Sequence, residues 1–255
     1  MKSINFFLQP TEYCDSGDDK VINLAKFIIK NGKDKRENAL KFFYWVRDNI
    51  KYSVGDWNYK ASQTAEIGYG TCTNKANLLI ALLRSSKIPA GYGYMKVRGQ
   101  EYFGKIMLPI FKKKVAKSSV HIFCNIFLNN QWIKCDPSDD KILCDKTHYF
   151  NSTTKTVNWN GYSDAMLNLD VRHIIFIENK PIANMDYIFK KKPRNGRGVP
   201  IKVANIYLDF LRNTETRFNS VQDVQKYFLR YLFLNYTFYF LLFFTFFWYK
   251  NIKNK

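Results

Sequence analysis

Cys72 stands in the run Tyr-Gly-Thr-Cys-Thr-Asn-Lys, and an apolar stretch from Ala76 to Leu83 follows it directly. A stretch that is apolar nearly all round reads as a central helix, spanning about residues 72–86. The unpaired N–H groups and the dipole at the first turn of such a helix favour a negative charge. A thiolate is such a charge, so a cysteine placed there is expected to be acidified and nucleophilic. The Cys72 backbone N–H could also donate to an oxyanion. Gly70 is expected to let the chain turn sharply and to leave room for a substrate carbonyl. The competing reading is that Cys72 fills the helical core, the commoner fate of a cysteine beside apolar residues.

A nucleophilic thiol needs a base, and the chain has three histidines. His121 lies on the first arm of an expected hairpin, Ser-Ser-Val-His-Ile-Phe-Cys-Asn-Ile-Phe-Leu-Asn-Asn-Gln-Trp-Ile-Lys-Cys-Asp-Pro-Ser. Asn tolerates the left-handed conformation, so Asn129-Asn130 suits a two-residue turn. That turn pairs Leu128 with Gln131 and Phe123 with Asp136. His121 shares a face with Phe123, which makes Asp136 its diagonal neighbour. A three-residue turn would place the two on opposite faces. Asp136 would then orient the imidazole and stabilise its cation. Taken singly, a half-buried sheet histidine and a turn aspartate before Pro137 are the ordinary readings. His148 and His173 have no motif around them. Cys124 and Cys135 read as packing residues of alternating strands, and Cys144 is close to neither. Gln63 and Tyr52 are further candidates to assist an oxyanion. Lys112-Lys113-Lys114 reads as a solvated loop and Trp132 as a packing residue.

The elements that must position these residues follow from periodicity. Residues 18–31 place Val21, Leu24, Ala25, Ile28 and Ile29 at helical spacing, and residues 34–50 turn Ala39, Phe42, Phe43 and Val46 inward. A glycine-containing loop is expected over 51–70. Pro89 ends the cysteine helix, and a strand follows over about 90–99. Residues 100–117 look like a flap with a basic tip, and the hairpin comes next. Residues 145–200 are mixed, with a strand at 171–179 and a loop at 190–200. Residues 201–229 read as helical. Helices first and strands second indicate an α+β fold. The expected organisation is a catalytic domain over 1–200 with its core at about 18–140, a helical connector over 201–229 and a hydrophobic tail over 230–255.

Composition narrows the classes. The net charge is +19, from 40 Lys and Arg against 21 Asp and Glu. The lysines are scattered and no nucleic-acid motif accompanies them, so no specific nucleic-acid binding is expected. Five cysteines without Cys-x-x-Cys spacing point away from a disulfide framework and a structural zinc site. They fit a reducing, cytoplasmic setting. The start of the chain is too weakly apolar for a secretory signal. Residues 231–249 carry no charge, have Tyr and Trp near their ends, and are long enough to cross a hydrocarbon core of about 30 Å. They are expected to form a transmembrane anchor, with a buried or partner-binding aromatic helix as the alternative.

The segment Gly-Tyr-Gly-Thr-Cys through Arg84 and Ile88-Pro89-Ala90 resembles the cysteine segment of the transglutaminase-like superfamily. The His121 strand and the Trp132 to Asp136-Pro137 strand resemble its second half. The helix before Tyr52 resembles its lead-in, and Trp159-Asn160-Gly161 with the residues after it resembles a segment of some microbial members. The resemblance covers about residues 18–140. It implies a papain-like fold with the cysteine at the N-terminus of a central helix packed on an antiparallel sheet, and a Cys72, His121, Asp136 triad. Phe123 stands where an aromatic commonly follows the histidine, and Asn125 departs from a common acidic residue. Calcium sites and paired zinc cysteines of some branches are absent, and no cofactor is implied. Membership implies thiol chemistry on peptide or protein amides through a thioester. Hydrolysis is the expected outcome over transamidation, because small chains of this kind lack an obvious docking domain for an amine donor. A catalytically silent scaffold or a membrane-associated adaptor is the rival.

Overall fold

The computed structural model describes residues 4–103, 108, 116–138, 140–148, 155–168, 170–191 and 198–253. In chain order the helices and strands are α1 (Asp19–Ile28), α2 (Lys35–Asn49), β1 (Lys51–Tyr52), α3 (Ala61–Ile67), β2 (Tyr69–Gly70), α4 (Cys72–Ser85), β3 (Ala90–Arg98), α5 (Gly99–Phe103), β4 (Ser118–Leu128) and β5 (Gln131–Cys135). There follow α6 (Lys141–Thr147), β6 (Ile174–Ile177), α7 (Asp186–Phe189), α8 (Gly198–Asn213), α9 (Val221–Asn235) and α10 (Thr237–Lys253).

The apolar character of the cysteine helix is explained by its place. Every residue of α4 from Cys72 to Arg84 is buried. One side lies on β4 and β3, and α1, α2 and α3 close the others. Leu78, Leu79, Leu82 and Leu83 are wholly removed from water, each worth about 1.5–3 kcal/mol. The two cationic residues of this helix are spent on chain carbonyls. Lys75 donates to the carbonyls of Arg47 and Ile50 at the end of α2, at 3.2 and 2.6 Å. Arg84 donates to Ala90, Gln9 and Ala183 at 3.0, 2.7 and 2.7 Å. Its planar fork thus clips the start of β3 to two distant segments.

The main sheet is antiparallel with strand order β5-β4-β3-β6. Leu128 faces Gln131, and Asn129 and Asn130 have φ of 49° and 61°. The turn has two residues, both left-handed, as its type requires. The ladder runs back to the pair Cys124 and Cys135. β1 and β2 form a separate short parallel pair, with Tyr52 opposite Gly70.

Three expectations change. The loop over 51–70 contains α3, closed by Gly68 at φ 73°. The strand expected at 171–179 begins only at Ile174, because Asp170 caps a tight turn over Val171–His173. The hydrophobic tail does not run as one span: no single helix among the described residues is long and apolar enough to cross a membrane. Helices α9 and α10 break at Tyr236 with a bend of 120°. Asn235 and Thr237 beside the break are weak helix formers whose side chains compete for backbone partners. A straight helix would also carry Phe243 about 16 Å along the axis from Leu232. The bend returns both to one buried cluster with Tyr207 and Leu211 of α8. Residues 201–229 are helical as expected, apart from the turn between α8 and α9. Lys112-Lys113-Lys114 and much of the expected flap lie outside the described residues.

Candidate functional site

Cys72 is the first residue of α4, after the N-cap Thr71. Asn74 fixes that turn. Its Oδ1 accepts from the Thr71 N–H at 3.0 Å and from the Thr71 hydroxyl at 2.8 Å, and its Nδ2 donates to the Trp57 carbonyl at 3.0 Å. Gly70 is needed for Asn74 and not for a sharp turn. Its φ is ordinary, and a Cβ there would lie 2.6 Å from the Asn74 Cβ.

β4 and β5 bring His121 and Asp136 together. Their Nε2 and Oδ2 atoms are 2.6 Å apart, and both side chains are fully buried. The His121 ring acts on the Cys72 thiol through its charge and through hydrogen bonding. The Ile122 N–H also donates to that sulfur. The ladder between β4 and β5 ends at Cys124 and Cys135, which leaves Ile122 beyond it. Cys72 keeps 7% of its surface exposed, while His121 and Asp136 keep none.

The pKa directions follow from this enclosure. Burial alone would push the Cys72 thiol up. The charge and hydrogen bond of His121 and the Ile122 N–H outweigh it, and the thiol falls below its ordinary value. Burial would likewise lower His121, but the charges of Asp136 and Cys72 raise it to about 10. Asp136, burial notwithstanding, is lowered by His121 and by hydrogen bonds from Ser138. The three groups favour a thiolate–imidazolium pair beside a carboxylate. Cys14 and Cys124 move the other way, burial raising both.

Two supports of Asp136 carry no sequence periodicity. Ser138 donates to Oδ1 from its backbone N–H at 3.0 Å and from its hydroxyl. Aspartate with serine two residues on is a turn signal that could have marked it. The Asp136 N–H donates to the Ala165 carbonyl at 2.9 Å, and the Ala165 N–H to the Lys134 carbonyl at 2.9 Å. Ala165 therefore bridges to Cys135 on the outer side of β5.

The other candidates lie elsewhere. Gln63 caps α3, accepting from the Lys60 N–H at 2.9 Å. His148 is exposed at the end of α6, its ring on the Asp145 carbonyl. His173 sits in the turn before β6. Cys124 and Cys135 are buried cross-strand neighbours, and Cys144 is buried in α6. Trp132 packs against Phe7 and Phe127. Tyr52 does belong near the site. Burial raises its phenol above the ordinary range, and the charges of Cys72 and Asp136 raise it further. No group of three or more His, Cys, Asp or Glu among the described residues could hold a metal ion.

Residues 22–137 match the family model of the transglutaminase-like superfamily. The chain is similar to a protein from Cytophaga hutchinsonii provisionally named a cysteine protease, with 25% identity and a TM-score of 0.42 over 54% of this chain and 43% of that one. It is also similar to a protein from Parabacteroides distasonis provisionally named a protease, with 13% identity and a TM-score of 0.31 over 52% of this chain and 25% of that one. The chain thus spans less than half the length of either structure. No curated protein matches it significantly.

Proposed function

We propose that the protein, whose residues 22–137 match the family model of the transglutaminase-like superfamily, is a cysteine-dependent acyl-transfer enzyme acting on peptide or protein amides. The observation that carries the reading is the buried 2.6 Å contact between His121 and Asp136, with the His121 charge lowering the Cys72 thiol at the first turn of α4. The Cys72 thiolate attacks the amide carbonyl and a C–S bond forms. The imidazolium of His121 gives its proton to the amide nitrogen, the C–N bond breaks and the amine leaves a thioester. His121, now neutral, takes a proton from water as water attacks, and the carboxylic acid leaves with the thiolate restored. Asp136 holds the ring and its charge throughout. Hydrolysis is proposed over transfer to an amine because water needs no docking surface of its own. Five buried thiols, none of them in a disulfide, support a reducing, cytoplasmic setting.

The test is incubation of the protein and its Cys72→Ala variant with peptide libraries, with and without a primary amine. Mass spectrometry is expected to show a gain of water that requires Cys72. A gain of the amine would replace hydrolysis by transamidation. No Cys72-dependent product from any peptide would favour the scaffold reading.

The exposed apolar side chains of α9 and α10, with Phe238 at 69% and Leu241 at 57% exposure, support attachment of this end to a lipid surface. We propose a side-on contact with an anionic bilayer, which the net charge of +19 favours. Flotation with anionic vesicles should carry the protein, and Phe238→Glu with Leu241→Glu should release it. Equal flotation of both forms would refute the contact.

A further inference from the structure

Helix α8 lies outside residues 22–137, yet it reaches the backbone that carries the site. Arg212 is buried on α8. Its Nε donates to Asp140 Oδ2 at 2.7 Å, its Nη2 to the Tyr52 carbonyl, and its Nη1 to the exposed Asp209 at 2.7 Å. Asp140 is buried as well. Its Oδ2 also accepts from the Tyr52 N–H at 3.1 Å, and its Oδ1 accepts from the Leu143 N–H at the start of α6 at 3.1 Å. Both backbone groups of Tyr52 are therefore held by one ion pair.

Tyr52 sits between the two segments that matter. On one side it is paired with Gly70, and the neighbouring Ser53 N–H donates to the Gly70 carbonyl at 2.9 Å. Gly70 stands two residues before Cys72. On the other side Asp140 follows the turn in which Ser138 holds Asp136. A shift of β1 would move the sulfur and the carboxylate relative to His121, and a charge-assisted contact near 2.6 Å tolerates little displacement.

We propose that Arg212 is a positioning residue of the site: through Asp140 and Tyr52 it fixes the spacing between the Cys72 turn and the Asp136 turn. The inference rests on the proposed role of Cys72 as nucleophile. It makes α8 part of the enzyme. The phenol of Tyr52, close enough to feel the charges of Cys72 and Asp136, shows how near this clamp comes to the chemistry.

The experiment uses the full chain and three variants, Arg212→Met, Arg212→Lys and Asp209→Ala. Folding is checked by circular dichroism, and Cys72 alkylation by iodoacetamide is followed from about pH 5 to 10 by mass spectrometry of its peptide. In Arg212→Met the onset of alkylation should move up by about one pH unit, slowing the reaction about 10-fold at pH values below the onset. In Arg212→Lys the charge beside Asp140 remains but the fork that also reaches Tyr52 is lost, so slowing of about 3-fold is expected. Asp209→Ala removes only the exposed partner and should match wild type. A folded Arg212→Met with the wild-type profile and only a lower melting temperature overturns the proposal. If Arg212→Met does not fold, a folded Arg212→Lys with the wild-type profile overturns it equally. Should Cys72 of the wild-type protein alkylate no faster than the other four thiols, the nucleophile reading itself has failed. Fast wild-type alkylation with unchanged variants removes only the role of Arg212.

Discussion

Replacing Asp136 by Asn should disable the site although the two side chains have the same shape. Ser138 donates its backbone N–H to Oδ1, and a backbone N–H cannot become an acceptor. The oxygen of the introduced amide must therefore stay on the Ser138 side. The amide nitrogen then takes the place of Oδ2, facing His121 Nε2 where the carboxylate now lies at 2.6 Å. An amide nitrogen only donates. Nε2 would have to be unprotonated, which puts the proton of the neutral ring on the sulfur side and sets two donors against each other in the imidazolium.

The magnitude follows from His121. Its rise from 6.5 to about 10 is worth about 5 kcal/mol in favour of the cation. Burial opposes that rise, and Asp136 is the first of the groups that produce it, ahead of Cys72. Assigning Asp136 half or slightly more gives about 3 kcal/mol, a factor of about 100. Without the imidazolium, burial prevails at Cys72 and its thiol rises. Iodoacetamide alkylation of Cys72 at neutral pH should slow about 100-fold in the folded Asp136→Asn protein, and its onset should move to or above the ordinary thiol range of roughly 8–9. Superimposable pH profiles for wild type and variant would refute the reasoning, because then neither the charge nor the donor direction at Asp136 governs the thiolate.

Activity on a cleavable peptide should be bell-shaped in pH. The acid limb should lie below the ordinary thiol value and the alkaline limb near 10, where His121 loses its proton; an alkaline limb near neutral pH, or an acid limb at or above the ordinary thiol value, measured by initial rates would contradict the ion pair. The stabilising contribution of His121 should likewise be whole below about pH 6.5 and vanish as pH rises through about 10, and that of Asp136 should vanish as pH falls through its depressed value. Asn74→Ala removes the cap of α4 and leaves the Thr71 N–H and the Trp57 carbonyl without this partner. A loss of about 2–3 kcal/mol in urea unfolding is expected, and a loss under about 0.5 kcal/mol would show that the cap matters little. Phe243→Ala should cost about 3–5 kcal/mol, because Phe243 is buried with Phe228 and Leu232. No change in stability would mean that α10 does not return to α8.

The contact between His121 and Asp136 was legible in the sequence because it depends only on parity. Asn129-Asn130 sets an even turn, the strand period is two, and the register so fixed, paired as far as Cys124 and Cys135, directs the residues beyond it to one face. The cysteine helix was legible because its apolar run is continuous. Helix α3 was not, since its seven residues carry no apolar period and its ends are set by Gln63 and Gly68. The break at Tyr236 was hidden for the opposite reason. Residues 231–249 carry no charge, and hydropathy does not distinguish a straight span from two helices folded onto a third. Ser138 announced itself only as a turn residue. Arg212 meets Asp140 across 72 positions, and polar contacts at that distance leave no pattern along the chain.

The turn after β5 also shows why the carboxylates at 136 and 140 cannot exchange roles. Both are buried and each touches a cation, His121 or Arg212. A guanidinium does not release its proton at any working pH, so the Arg212–Asp140 pair can only hold. His121, even raised to about 10, gives up its proton far more readily than a guanidinium, so the His121–Asp136 pair can act. The fold gives the fixed charge to the backbone of β1 and the titrating one to the sulfur. A His121→Arg substitution would keep a cation beside Asp136 and acidify Cys72, yet no proton could pass to a leaving amine. Such a protein should alkylate quickly at Cys72 and turn over no peptide, which separates making the thiolate from using it.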